Sequence, residues 1–228
     1  VTPWNPWADG EVTALAVHGD VVYAGGDFCS IGGQARSHLA ALDASTGLAT
    51  EWNPVIEPRP EEYASGPPLV RALAVGGDTV YVGGAYFVIG GQERQGLAAV
   101  DANTGAVLDW NPNPVGWWTF VYAAALALRD RNLYVGGYFE TIGGQNRYCL
   151  AAVDGATGQA TGWDPSPNNG VWTLAASDSV VYAGGAFTSL GPWAYRNHVA
   201  ALDAATGEVT PWDPNAAGYY VGAVAARC

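Results

Sequence analysis

Four acidic residues stand at one repeating offset and are the first candidates for chemistry. Asp43, Asp101, Asp154 and Asp203 each open an Asp-x-x-Thr-Gly stretch. Carboxylates at turns can ligate a hard cation such as Ca²⁺. Each turn supplies one such group and none of the further carboxylates that a cage requires. The structural alternative is a type I turn in which Asp caps backbone N–H groups and Gly takes φ > 0, and no metal is expected.

A second set pairs Gln34 with Arg36, Gln92 with Arg94, and Gln145 with Arg147, each within Ile-Gly-Gly-Gln-x-Arg. A ring of Gln and Arg could hold an anionic or sugar ligand once per copy. Alternatively, each Arg bridges neighbouring copies through backbone carbonyls or the preceding copy's Asp. The fourth copy reads Gly-Pro-Trp-Ala-Tyr-Arg and loses the Gln but keeps Arg196. That favours a structural role for Arg36, Arg94, Arg147 and Arg196, beside the four Asp, and leaves Gln34, Gln92 and Gln145 as ligand candidates.

The aromatic residues Trp7, Trp117, Trp118, Trp193 and Tyr195, with Tyr63, Tyr219 and Tyr220, lie in connections where the copies vary. Beside Asn, Gln and acidic groups they suit sugar stacking or protein contact, and equally the packing of long loops. His38 and His198 occupy one repeat position without converging carboxylates, and the loop acids Asp9, Glu11, Glu57, Glu61 and Glu62 suit solvation better than acid/base chemistry. The chain contains no Lys, which removes Schiff-base mechanisms, and no nucleophile motif or phosphate loop. Cys29, Cys149 and Cys228 are out of register, so no intramolecular disulfide is expected and the odd count permits an intermolecular one.

Of 228 residues, 21 are acidic and 9 basic, giving a formal net charge of −12. That argues against nucleic acid and anionic membrane surfaces as partners. The longest apolar stretch, Val121 to Leu128, is too short to span a bilayer, so no membrane insertion is expected. No catalytic residue, cofactor or metal is expected either.

All these sets ride on one repeat. Trp followed by Asn or Asp and then Pro recurs at Trp4, Trp52, Trp110, Trp163 and Trp212, at spacings of 48, 58, 53 and 49. Tyr23, Tyr81, Tyr134 and Tyr182, each before a small residue and Gly-Gly, keep the same phase. Within each copy fall four strand-like runs, called a to d: in the first, Val12 to Val17, Val21 to Gly26, His38 to Asp43, and one ending at Glu51 to Pro54. A unit of about 50 residues with four antiparallel strands is a propeller blade. Ala-rich strand a suits a crowded axis, and the terminal Trp is a plate for the gap between blades. Length variation falls in the d-to-a connection, which shares a face with the b-to-c connection, so that face is the expected binding face.

The stretch Val12 to Gly47 resembles the tandem propeller repeats, here of the delta type, of many bacterial secreted proteins of unknown function. Ala41-Leu42-Asp43 through Thr46-Gly47 is similar to the docking motif of quinoprotein-type propeller repeats. There, three residues separate Gly from Trp; here there are four. The first resemblance implies a secreted or cell-surface protein, the second a quinone-dependent enzyme.

The expectation is therefore an all-β chain: a β-propeller of four-stranded antiparallel blades, about four and a half of them, in one domain over 1–228. The repeats run approximately 4–51, 52–109, 110–162 and 163–211, with a partial 212–228. Strands number 18, from a d-type run at Val1 to Pro6 to a last strand a at Tyr219 to Ala226. The leftover blade would hold an outer d and an inner a that cannot pair. This reads as an excerpt of a longer propeller, or as four blades closed alone, or as a ring completed by another chain. Functionally, the expectation is a non-enzymatic extracellular structural, adhesive or ligand-binding module. Its partners would be a glycan or protein at a cell surface, or copies of itself. The alternative is a glycan-acting or quinone-dependent enzyme using the central funnel.

Overall fold

The computed structural model describes residues 4–57, 68–116 and 121–226. The described residues are all-β with no helix, and they form two compact units, Val1–Asp109 and Trp110–Cys228. Each unit holds two blades.

In the first unit, β1 (Glu11–His18), β2 (Val21–Asp27) and β5 (Leu39–Asp43) form an antiparallel sheet in that order, with the hairpin β3 (Ser30–Ile31) and β4 (Gln34–Ala35) between β2 and β5. The second blade repeats this with β6 (Leu69–Gly76), β7 (Thr79–Ala85), β8 (Val88–Ile89), β9 (Gln92–Glu93) and β10 (Leu97–Asp101). The second unit holds a blade of β11 (Tyr122–Arg129), β12 (Asn132–Tyr138), β13 (Thr141–Ile142), β14 (Gln145–Asn146) and β15 (Leu150–Asp154). Its companion consists of β16 (Val171–Ala176), β17 (Val180–Gly185), β18 (Ser189–Leu190), β19 (Ala194–Tyr195) and β20 (Val199–Asp203).

Two differences from the sequence expectation have clear causes. The fourth strand shrinks to a single bridge per blade: Leu42 with Ala49, Val100 with Val107, Val153 with Ala160, and Leu202 with Val209. Beyond the bridge, the Trp52 N–H turns to the Thr50 hydroxyl, and proline two residues later can donate nothing to a ladder. The b-to-c connection, in turn, is an ordered hairpin. It is seated by the incoming d-to-a chain through the bridges Ile56 to Ile89, Val115 to Thr141 and Pro167 to Leu190. The two kinds of connection thus share one face of their blades.

The core lies between blades. One cluster joins Tyr23, Leu39 and Trp52 of the first blade to Val70, Val80, Val82 and Ala98 of the second. Its counterpart joins Tyr134, Leu150 and Trp163 to Val171, Val181 and Ala200. The Gly-Gly pairs make this approach feasible. A Cβ on Gly25 would lie 2.3 Å from Val70 Cγ1 of the next blade, and one on Gly26 only 2.0 Å from the Glu11 carbonyl oxygen, at the bulge of β1.

Candidate functional site

The Asp turns are backbone devices. Asp43 Oδ1 accepts from the Ser45 and Thr46 N–H groups at 3.0 and 2.7 Å and from both hydroxyls. Asp101, Asp154 and Asp203 do the same for the two N–H groups of their own turns. The Ser45 hydroxyl and the Thr46 donors hold the Asp43 carboxyl well below the usual range, at about 2. Among the described residues no three His, Cys, Asp or Glu side chains come together as a metal cluster.

The carbonyls of these same residues grip the blade plates. Trp4 Nε1 donates to Asp43 O at 3.3 Å, Trp52 to Asp101 O at 2.8 Å, Trp110 to Asp154 O at 3.0 Å and Trp163 to Asp203 O at 2.9 Å. Each ring thus tethers the turn of the blade that follows it.

The Arg set acts within its own blade rather than between blades. Arg36 donates to Ala35 O and Thr50 O, Arg94 to Glu93 O and Leu108 O, Arg147 to Asn146 O and Thr161 O, and Arg196 to Tyr195 O and Thr210 O. The second carbonyl always lies 14 residues on, so the fork staples the b-to-c hairpin to the outer run of the same blade. Arg147 and Arg196 add ion pairs to Asp164 at 3.4 Å and Asp213 at 3.7 Å, where the other copies carry Asn53 and Asn111.

The loop acids are tied down as well. Asp9 Oδ1 accepts from the Cys29 and Ser30 N–H groups at 2.8 and 2.9 Å, which lowers its pKa, and Glu57 Oε1 accepts from Gly91 N–H at 3.0 Å. His38 and His198 sit at φ 64° and 65°, a position that Gly96 and Cys149 fill with φ 67° and 59°. The shared feature is a left-handed residue that opens strand c, not a shared imidazole chemistry. Cys29 is exposed and Cys149 buried, and both are free thiols.

What remains for a ligand is on the hairpin face. Gln34, Gln92 and Gln145 stand exposed at their hairpin tips. Gln145 lines a groove of about 780 Å³ with Asn111, Asn113, Thr141, Asn146 and Gln159, and among the described residues no charged side chain lines it. In the last blade the same hairpin carries Trp193 and Tyr195, 86% and 76% exposed. Trp7 is also exposed and is held at φ 49°, a strained conformation for a bulky residue. Trp117, Trp118 and Tyr63, with Glu61, Glu62 and Cys228, lie outside the described residues. The groove itself was missed by sequence reasoning. Its only signal was amides clustered in one copy at Asn111, Asn113, Gln145 and Asn146.

The chain has likenesses among solved structures. The computationally designed Ika4 protein is 17% identical at a TM-score of 0.49, over 86% of this chain and 92% of that one. The designed Ika8 protein is 19% identical at 0.49, over 89% of this chain and 49% of that one. The extracellular domain of the putative one component system BT4673 from B. thetaiotaomicron is 17% identical at 0.51, over 88% of this chain but 22% of that one. No curated protein matches the chain. A family model, described as outer membrane protein assembly factor BamB and built on quinoprotein-like propeller repeats, matches residues 12–212, and the chain belongs to that family.

Proposed function

We propose that the chain is a non-enzymatic propeller module that binds a neutral, polyhydroxylated or peptide-like partner at an extracellular or cell-surface location. The observation that carries this is the amide-lined groove of the third blade. The carboxamides of Gln145, Asn146 and Gln159 make no hydrogen bond within the described residues, although amides both donate and accept. In a chain of net charge −12, a groove without charged lining suits a neutral glycan better than an anion. The exposed Trp193 and Tyr195 supply stacking surface in the neighbouring blade of the same unit.

Several features support binding over catalysis. Asp9 and Glu57, acids of the connections that seat the hairpins, are spent on backbone N–H groups. The family is named for assembly rather than for a reaction. An extracellular domain with the same fold accords with the location, and among the described residues no helix is long and apolar enough to cross a membrane.

Glycan-array binding provides the test. Wild type should bind neutral oligosaccharides, and Gln145→Ala with Asn146→Ala should lose at least tenfold in affinity, about 1.4 kcal/mol. Turnover of a glycan or alcohol substrate that vanished in Glu57→Gln or Asp9→Asn would overturn the reading.

A further inference from the structure

The second unit holds two recesses joined by one short stretch of chain. The first is the amide groove, which Gln145 and Asn146 line from β14. The second, of about 490 Å³, is lined by Tyr138, Tyr148, Cys149, Ser166, Asn168 and Asn169, at the boundary between the third and fourth blades. Its size falls within the roughly 300–1,000 Å³ of small-ligand sites. Asn146 and Tyr148 are at most about 7 Å apart along the chain, so a ligand of modest length can touch both.

Aromatic faces and an amide make up the second recess. Tyr138 stands opposite Tyr122 in the register of β11 and β12, and the two rings lie nearly parallel, 13° apart with centroids 6.4 Å from each other, which fixes the orientation of Tyr138. Tyr148 is 43% exposed, so much of its ring faces solvent. Asn168 is a structural cap: its Oδ1 accepts from the Thr188 and Ser189 N–H groups, and its Nδ2 donates to the Thr188 hydroxyl. Asn169 differs, because its Oδ1 takes the Gly170 N–H at 2.8 Å while its Nδ2 finds no acceptor among the described residues. Burial pushes the Cys149 thiol pKa up and keeps it neutral. Among the described residues no charged side chain lines the recess, and Arg147, between the two recesses in sequence, is paired with Asp164 at 3.4 Å.

Both recesses draw on residues peculiar to the third copy. The positions of Tyr138 and Tyr148 carry Asp27 and Ser37 in the first copy, Ala85 and Gln95 in the second, and Ala186 and Asn197 in the fourth. Asn146 and Gln159 have no amide counterpart in any of them. Scaffold packing, which every copy shares, does not call for these four side chains; one extended ligand does. A peptide strand would gain no ladder at this hairpin, since Gly143 N–H already donates to Pro112 O and Gly143 O accepts from Ala160 N–H. Aromatic faces beside amide donors suit sugar rings.

We propose that the partner is a neutral oligosaccharide chain that occupies both recesses at once, with one ring stacked on Tyr148 and its neighbours paired to the amides of Gln145, Asn146 and Gln159. The proposal rests on the groove reading above and adds to it the length of the ligand and its second contact. Joining the two contacts in one molecule makes the second intramolecular, so affinity rises with chain length until both recesses are filled and then levels off.

Titration calorimetry with size-graded malto-, cello- and manno-oligosaccharides tests this. In a series that wild type binds, affinity should rise at least about tenfold from the disaccharide to the longest member. Tyr148→Ala should weaken the longest member about five- to tenfold and leave the disaccharide, held in the groove alone, unchanged, which also shows that the variant is folded. Tyr148→Phe keeps the ring and should bind like wild type. Gln145→Ala with Asn146→Ala should weaken every length. Absence of binding in every series would defeat the groove reading and this proposal with it. Binding as tight for the disaccharide as for the longest chain, or binding that Tyr148→Ala changes equally at every length or not at all, would overturn the two-recess ligand and leave the groove reading standing.

Discussion

The junction at Trp52 and the open face at Trp212 are built from the same residues and differ only in what lies against them. At the first, the indole is nearly fully buried, and its N–H and the Tyr23 hydroxyl both find carbonyls of the second blade. At the second, the ring pair of Tyr182 and Trp212 is preserved but half open. The edge-on Trp–Tyr geometry is therefore a property of a single blade, set by strand b and the outer run. Burial and hydrogen bonding arrive only with the next blade. A blade is half of a binding site for another blade, and stability resides in the contact.

Truncating the plate should give the largest contrast. Trp52→Ala empties a buried, well-packed position and should cost about 3–5 kcal/mol, the usual range for a large aromatic lost from a core. Trp212→Ala, on the open face, should cost about 1 kcal/mol or less. Urea denaturation measures both. Equal losses would mean that the plate stabilises its own blade and not the junction. Removing only the hydroxyl sharpens the same comparison: Tyr23→Phe should cost about 1 kcal/mol, and Tyr182→Phe nothing measurable.

How far the sequence reveals this follows from which signals repeat. Tyr23, Trp52, Asp43 and the Gly-Gly pair recur in phase, and strands of five to eight residues alternate regularly, so blades, register and plates can be read from spacing. The hairpins such as β3–β4 cannot, since two-residue strands have no period and exist only because Asp9 and the incoming chain cap them. The partner of Arg36 is equally hidden. It is a backbone carbonyl at Thr50, and carbonyls leave no mark on residue type. The groove at Gln145 depends on Asn146 and Gln159, where the other copies carry no amide, and such differences are averaged away by periodicity. What every copy shares proves to be scaffold, and the candidate ligand surfaces lie where the copies differ.

Acid should act on the turns that the plates grip, with a smaller effect. Asp43 is ionised in the folded chain down to about pH 2, because the Ser45 and Thr46 donors favour the carboxylate. Unfolded, it takes up a proton near pH 4. Its folded pKa is depressed, so its contribution is fully present above pH 4 and is lost as pH falls from about 4 to about 2. Asp43→Asn removes that titration while keeping the shape of the turn. The difference in melting temperature between wild type and Asp43→Asn should therefore shrink as pH is lowered from 5 to 2. Asp101→Asn should behave alike, since its Thr104 donors also lower the carboxyl pKa. Because Asp101 O is the carbonyl that Trp52 holds, loosening its turn in acid should also raise the exposure of the Trp52 indole to fluorescence quenchers. Trp212 holds no turn among the described residues, and its quenching should stay level over the same range. A difference in melting temperature that persisted unchanged to pH 2 would show that the carboxylates only solvate these turns, leaving the plate–carbonyl bonds to hold each junction alone.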